Sequence, residues 1–268
     1  MGKSAGDRPV VLVTGAGSGI GRAIADRFDA AGWRVHVGDS DPEAVRQFLD
    51  EMPAASASVA DVSRVADVET MFSDVRARYD RLDVLVNNAG ISGPTAPVEE
   101  ISPADWDRTI AVDLNGQFYC ARLAVPLLKT AGGGSILLVS SSAACFGYPL
   151  RTPYTACKWA LIGFMKTLAM ELGPYRIRVN AICPGSVRGA RIDGVARCGE
   201  ARPDCGGDQA ALRVSGVPPV VRRCGGHRKR GVLPRLRRRR DDLGAGARRG
   251  RSHGITIQLA GLTWQLTK

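Results

Sequence analysis

Along the first two thirds of the chain, short apolar runs alternate with stretches whose apolar positions recur every three or four residues. Pro9–Val13 (PVVLV) is apolar at every position and runs into glycine, which predicts a strand covered on both faces. Residues 19–31 carry Ile20, Ala23, Ile24 and Phe28 at helical spacing. The same reading predicts strands over 33–38, 57–60, 82–86, 135–140 and 177–182. Between them it predicts helices over 42–51, with Pro42 in the first turn, and over 65–79, 103–130 and 155–172. Strand and helix alternating in this way predict one domain of the α/β class, a doubly wound parallel sheet of Rossmann type. No internal repeat is found.

From Ala196 onward the pattern stops, and charge marks the same boundary. The chain of 268 residues has a net charge of +11. Residues 196–268 hold 17 of its 37 Lys and Arg but only 5 of its 26 Asp and Glu, a net of +12 against −1 for residues 1–195. Two parts are therefore expected: a dinucleotide-binding and catalytic domain over 1–195, and a basic tail over 196–268. With 44% hydrophobic and 24% charged residues the composition is globular. No run reaches the ~20 apolar residues of a membrane helix, and the first residues lack a secretion-signal layout, so a cytoplasmic protein with no membrane partner is expected. The seven cysteines form no Cys-x-x-Cys pair and are expected as free thiols. Cys198, Cys205, Cys224 and His227 match no zinc spacing, and no metal site is expected.

The first strand leads into Thr14-Gly15-Ala16-Gly17-Ser18-Gly19-Ile20-Gly21. Glycines let the backbone turn tightly and approach a pyrophosphate. A helix that starts there aims its unpaired N–H groups at the phosphates. Asp39, 18 residues after Gly21, ends the second predicted strand, where a carboxylate accepts hydrogen bonds from the adenosine ribose. That carboxylate repels a 2′-phosphate, and no Lys or Arg stands at Ser18 or Ser40 to attract one, so NAD is expected in preference to NADP. Ser40 and Asp41 are better placed than Asp39 to cap the helix starting at Pro42.

Tyr154 and Lys158 stand four apart on one predicted helix and share a face. A phenol of pKa near ~10 becomes a usable base at neutral pH when an ammonium stands beside it. Ser141, after the fifth predicted strand, is placed to hydrogen-bond a substrate oxygen.

With TGAGSGIG over 14–21, Asp61-Val62, NNAG over 87–90, Ser141, Tyr154-x-x-x-Lys158 and Pro184-Gly185, the chain resembles the short-chain dehydrogenase/reductase family over roughly residues 8–194. The resemblance implies hydride transfer between NAD(P) and a secondary alcohol or ketone. Tyr154 would be general acid/base, Lys158 would lower its pKa and hold the nicotinamide ribose, and Ser141 would orient the carbonyl or alcohol. It implies Gly15, Ser18, Gly19, Ile20 and Gly21 at the pyrophosphate, Asp61 and Val62 at the adenine, Asn88 lining the cleft, and Pro184, Gly185 and Val187 at the nicotinamide. A homo-oligomer, dimer or tetramer, is implied where the C-terminus is intact.

Two departures stand out. The family's Val-Asn-Leu-x-Gly stretch, which carries a proton-relay Asn, is Val112-Asp113-Leu114-Asn115-Gly116 here, so the relay would fall to Asp113 or Asn115. The Thr that follows Pro-Gly in the family corresponds to Gly189.

The family's closing helices and last strand have no counterpart after Ala196. Read one base along, codons for Leu233–Ala247 admit Phe-Leu-Ala-Ser-Asp-Asp-Ala-Gly-Thr-Ile-Ser-Gly-Gln-Ala-Leu, which is similar to the family's ending. The expectation is a base lost or gained near the codons of Val195–Ala196, a missing last strand, and accidental pairing at most by Ile255–Leu259. Two alternative functions stand beside this one: a catalytically impaired dinucleotide-binding or scaffold protein, and a nucleic-acid binder through Arg237–Arg240. The tail lacks interleaved aromatics and any known binding module, so no nucleic-acid partner is expected.

Overall fold

In a computed structural model, the structure describes residues 8–185 and two strands, 255–259 and 262–266. The apolar run at the start forms β1 (Val10–Thr14), buried at all five positions, and it lies inside a six-stranded parallel sheet. Its companions are β2 (Arg34–Asp39), β3 (Ser56–Val59), β4 (Val84–Asn87), β5 (Gly134–Val139) and β6 (Ile177–Ile182), in the order β3-β2-β1-β4-β5-β6. Period-two alternation sends β1 side chains to opposite faces. Val11 and Val13 pack with Ile24 and Phe28 of α1 (Gly19–Ala30) and Phe48 of α2 (Pro42–Glu51). Val10 and Leu12 pack with Met71 and Phe72 of α3 (Val65–Tyr79), on the face that also takes Cys120, Ala124 and Leu128. Fully burying each large side chain contributes roughly 1.5–3 kcal/mol.

Residues 103–130 form the long helical stretch that periodicity predicts, widened at its middle. They divide into α4 (Pro103–Ile110), one wide π turn (Ala111–Asn115) and α5 (Gly116–Thr130). The wide turn brings Asp113 inward to full burial, where partners from outside the helix hold it. π turns of this kind gather at functional sites. The last long helix, α6 (Thr152–Leu172), begins earlier than predicted, with Pro153 in its first turn, where a missing N–H costs nothing.

One polar group breaks the apolar pattern of β2. His36 is 1% exposed, with Nδ1 2.7 Å from the Ser56 hydroxyl and Nε2 2.9 Å from that of Ser58. Ser58 donates to Asp74 at 2.6 Å, so its oxygen must accept from Nε2–H, and Nδ1 must accept from Ser56. Tyr79 stands 2.6 Å from Ser56 and also donates to the Val35 carbonyl at 3.2 Å, and the directed chain runs from Ser56 through a neutral imidazole and Ser58 to the Asp74 carboxylate. Burial pushes the His36 pKa down to about 4.

Ile255–Leu259 (β7) pairs antiparallel with Leu262–Leu266 (β8) as a separate two-stranded sheet. The basic run Arg237–Arg240, the reading-frame expectation after Val195, Gly189 and Val187 lie outside the described residues. Among the described residues no helix is long and apolar enough to cross a membrane.

Candidate active site

β1 pairs with β2 on one side and β4 on the other, so the chain reverses its direction of winding at β1. A crevice opens at the carboxyl ends of strands at such a point. Thr14 locks the two strand ends together, its hydroxyl accepting from the amides of Asn88 and Ala89, both at 3.1 Å. Gly15 turns away with φ +62°, and a Cβ there would stand 2.7 Å from the Ala89 Cα. The Asn88 amide donates to the carbonyls of Thr14 and Gly15 at 3.0 and 2.8 Å. Asn88 thus braces the glycine turn as well as bordering the crevice.

Ser18 caps α1 in extended backbone without a side-chain hydrogen bond, so the first-turn amides stay open to an anion. Gly19 has φ +59° and nothing within 4 Å of where a Cβ would be. Asp39 accepts from the Gly17 amide at 2.8 Å and from the Asp41 amide at 3.1 Å. The cap of α2 is Asp41, which accepts from Glu43 and Ala44, so Asp39 is not needed there. An open cradle of amides, with a carboxylate at the end of β2, fits a dinucleotide. Asp61 accepts from the amide and hydroxyl of Ser63 and from Arg108 at 3.1 Å. Burial alone would raise its pKa, but these hydrogen bonds outweigh burial and hold it below the usual carboxylate range. Val62 is buried beside it, within 3.0 Å of where a Cβ on Gly116 would be.

At the other end, Ser141 starts the 3₁₀ turn Ser142–Ala144 and its oxygen accepts from the Ala143 amide at 3.2 Å. Its own O–H remains to donate elsewhere. The Ser142 amide donates to the Pro184 carbonyl at 2.9 Å, which brings Pro184 and Gly185 alongside. Tyr154 and Lys158 share one face of α6, with the Lys158 Nζ 5.3 Å from the phenol ring centre. Asp113 forms an ion pair with Lys158 at 3.1 Å, their side chains 0% and 5% exposed, and accepts from the Ile91 amide at 2.6 Å. Asn115 follows on the same turn.

Arg151 escaped the sequence reading. It is 6% exposed, donates to the Ser92 carbonyl at 2.6 Å, and places its guanidinium carbon 4.9 Å from the Tyr154 ring centre. Its signal is its place at the cap of α6, three residues before Tyr154 and seven before Lys158. Leu150 before it has φ +63°, a left-handed conformation that turns the chain into α6. Among the described residues no three His, Cys, Asp or Glu are grouped to hold a metal ion.

The profile described as "short chain dehydrogenase" matches residues 9–197. An uncharacterized oxidoreductase of Thermotoga maritima is 40% identical over 183 residues, 67% of this chain and 72% of that protein. Trans-4-hydroxycyclohexanecarboxylate dehydrogenase of Sinomonas cyclohexanicum is 39% identical over 198 residues, 70% of this chain and 76% of that protein. The crystal structure of a 3-ketoacyl-(acyl-carrier-protein) reductase from Brucella melitensis complexed with NADH matches with a TM-score of 0.64 and 35% identity. That match covers 66% of this chain and 75% of the other. A cradle of amides at the switch point, a Ser after β5 with a Tyr and Lys on α6, and a family match over most of the chain meet in one conclusion. The chain belongs to the short-chain dehydrogenase family, NAD(P)-dependent oxidoreductases acting on CH–OH groups.

Proposed function

We propose that the chain interconverts a secondary alcohol and a ketone with NAD in preference to NADP, Tyr154 acting as general acid/base. The observation that carries the reading is Tyr154 in the first turn of α6 with two cations against its ring, Arg151 at the cap of the helix and Lys158 one turn on. The nicotinamide ring, when bound, takes up or returns the hydride.

The chain's own groups do the rest. Ser18, Gly19, Ile20 and Gly21 receive the pyrophosphate on open backbone amides, while Gly15, whose own amide donates to the Gly38 carbonyl at 2.7 Å, makes the turn that leads to them. Asp39 keeps a lone pair on each oxygen for the ribose hydroxyls, and its charge disfavours a 2′-phosphate. Asp61 and Val62 flank the adenine, and Pro184 and Gly185 border the nicotinamide. Ser141 donates its free O–H to the substrate oxygen and holds the reacting carbon in place. In alcohol oxidation the Tyr154 phenolate takes the hydroxyl proton as hydride leaves the same carbon; in reduction the phenol returns it. Lys158 binds the nicotinamide ribose.

The apolar side chains Phe146 and Tyr148, exposed on the turn after Ser141, favour a largely apolar small-molecule substrate. Phe118 on α5 and Trp159 on α6 are about half exposed, which supports a homo-oligomer built on these helices. The test is Tyr154→Phe in the full chain, with NADH binding followed by fluorescence and turnover by NADH absorbance over a panel of secondary alcohols. NADH binding within about twofold and a loss of turnover of 10²-fold or more are expected, in line with the usual worth of a general acid/base. Retained turnover would remove Tyr154 from the chemistry.

A further inference from the structure

Two cations stand against the Tyr154 ring and a carboxylate, Asp113, stands against one of them, so the charges do not contribute equally. The Lys158 ammonium lies 3.1 Å from an Asp113 carboxylate that is itself fully buried. A Cβ built on Gly90 would stand 3.2 Å from both the Lys158 Nζ and the Asp113 Oδ1, so bare backbone closes over the pair. A buried pair is little screened, and at longer range its opposite charges largely cancel. Arg151 differs. Its guanidinium is buried, donates to the Ser92 carbonyl and, among the described residues, has no carboxylate against it. Among the described residues no other cation stands over the Tyr154 ring. The Cys157 thiol, beside the pair, is held neutral because burial pushes its pKa to about 12. Ser140 and Ser141 at the end of β5 offer hydroxyls, and the segment after β4 offers the Ser92 carbonyl.

We infer that Asp113 and Arg151 are positioning residues of opposite sign that set the pH at which Tyr154 gives up its proton: Asp113 cancels the field of Lys158, and Arg151 supplies the uncompensated positive charge. The inference rests on Tyr154 as general acid/base. It also assigns the carboxylate that stands in the place of a relay amide: Asp113 acts on charge, through Lys158.

The experiment reads the Tyr154 phenol directly. The full chain is prepared with tyrosine labelled at Cζ, its resonance is assigned by loss in Tyr154→Phe, and its midpoint is followed by NMR against pH. Asp113→Asn is expected to lower the midpoint by about one pH unit, and Arg151→Met to raise it by about one. Arg151→Lys, which restores the charge on a different frame, should recover most of that rise. The pH profile of alcohol oxidation should follow, Asp113→Asn gaining about fivefold in rate one unit below the parent midpoint. Midpoints that stay put in both Asp113→Asn and Arg151→Met overturn the inference, as does Arg151→Lys behaving like Arg151→Met. Should Asp113→Asn fail to fold, the two Arg151 variants decide alone. Tyr154→Phe with full turnover would instead overturn the acid/base reading and leave the measured midpoints standing.

Discussion

Acidification should unfold this protein through one buried imidazole in the strand that carries Asp39. His36 is neutral in the fold because burial disfavours its charged form; the carboxylate of Asp74 opposes that effect and Arg78 adds to it. The unfolded chain takes up a proton near pH 6.5, whereas the folded chain does so only at about 4. Between these values the unfolded state binds more protons, so stability is full above pH 6.5 and falls as pH drops through the window. At about 1.36 kcal/mol per unit, a lag of roughly 2.5 units costs about 3 kcal/mol, a large part of the ~5–15 kcal/mol that holds a domain together. Paired carboxylates such as Asp61 lose stability in the same direction at lower pH, so the variant must isolate the imidazole. His36→Gln keeps an acceptor for Ser56 and a donor for Ser58 but cannot titrate. Denaturant unfolding of both proteins at stepped pH gives the difference. The parent should be the more stable by about 1 kcal/mol at neutrality. Its advantage should vanish and reverse before about pH 5, with a relative slope close to one proton. Parallel curves for the two proteins from pH 7 to about 4.5 would refute the argument.

Two further outcomes follow from the glycine turn. Asp39→Ser removes the charge facing the ribose and should move the NADPH-to-NADH affinity ratio tenfold or more toward NADPH, about 1.4 kcal/mol, in fluorescence titrations. An unchanged ratio would deny Asp39 that role. Gly15→Ala forces a Cβ to 2.7 Å from the Ala89 Cα in left-handed backbone. It should lower stability by about 2 kcal/mol or more and the melting temperature by about 4 °C or more, and weaken NADH binding. A melting curve that superposes on the parent's would exclude the close approach.

The sheet was legible because β1, β4 and β5 are buried on both faces and so read as unbroken apolar runs. The glycine turn, Asp39, Ser141, Tyr154 and Lys158 were legible because each lies within a few residues of a recognisable strand end or helix start. What stayed hidden depends on partners distant in sequence. The wide turn at Ala111–Asn115 keeps apolar residues at Ile110, Val112 and Leu114, and only the Ile91 amide and Lys158 reveal that Asp113 turns inward. His36 sits in WRVHVG like any polar residue, and Ser56 and Ser58 on the next strand are what make its burial tolerable. An arginine before a helix suggests a surface cation, yet Arg151 is covered because the Ser92 carbonyl reaches it and the Tyr154 ring takes its face.

The stretch from Arg108 through the wide turn to Gln117 has the character of a ruler. Near one end Arg108 grips Asp61 and Ser63, on the proposed adenine side. In its middle Asp113 holds Lys158 and Ile91. At its far end Gly116 lies against Val62, while Gln117 ties down Asn87 and Ala89 behind the crevice. Arg108 and Gly116 both rest on the Asp61-Val62 pair while Asp113 between them reaches Lys158, so the distance from that pair to Lys158 is set by one continuous coil, and two flexible connections do not have to agree on it. The extra residue in the wide turn is the adjustment mark on that ruler. Deleting it would rotate everything beyond by about 100°, one residue's share of a turn of 3.6. The hold on Asp61 and the hold on Lys158 could then no longer be kept together.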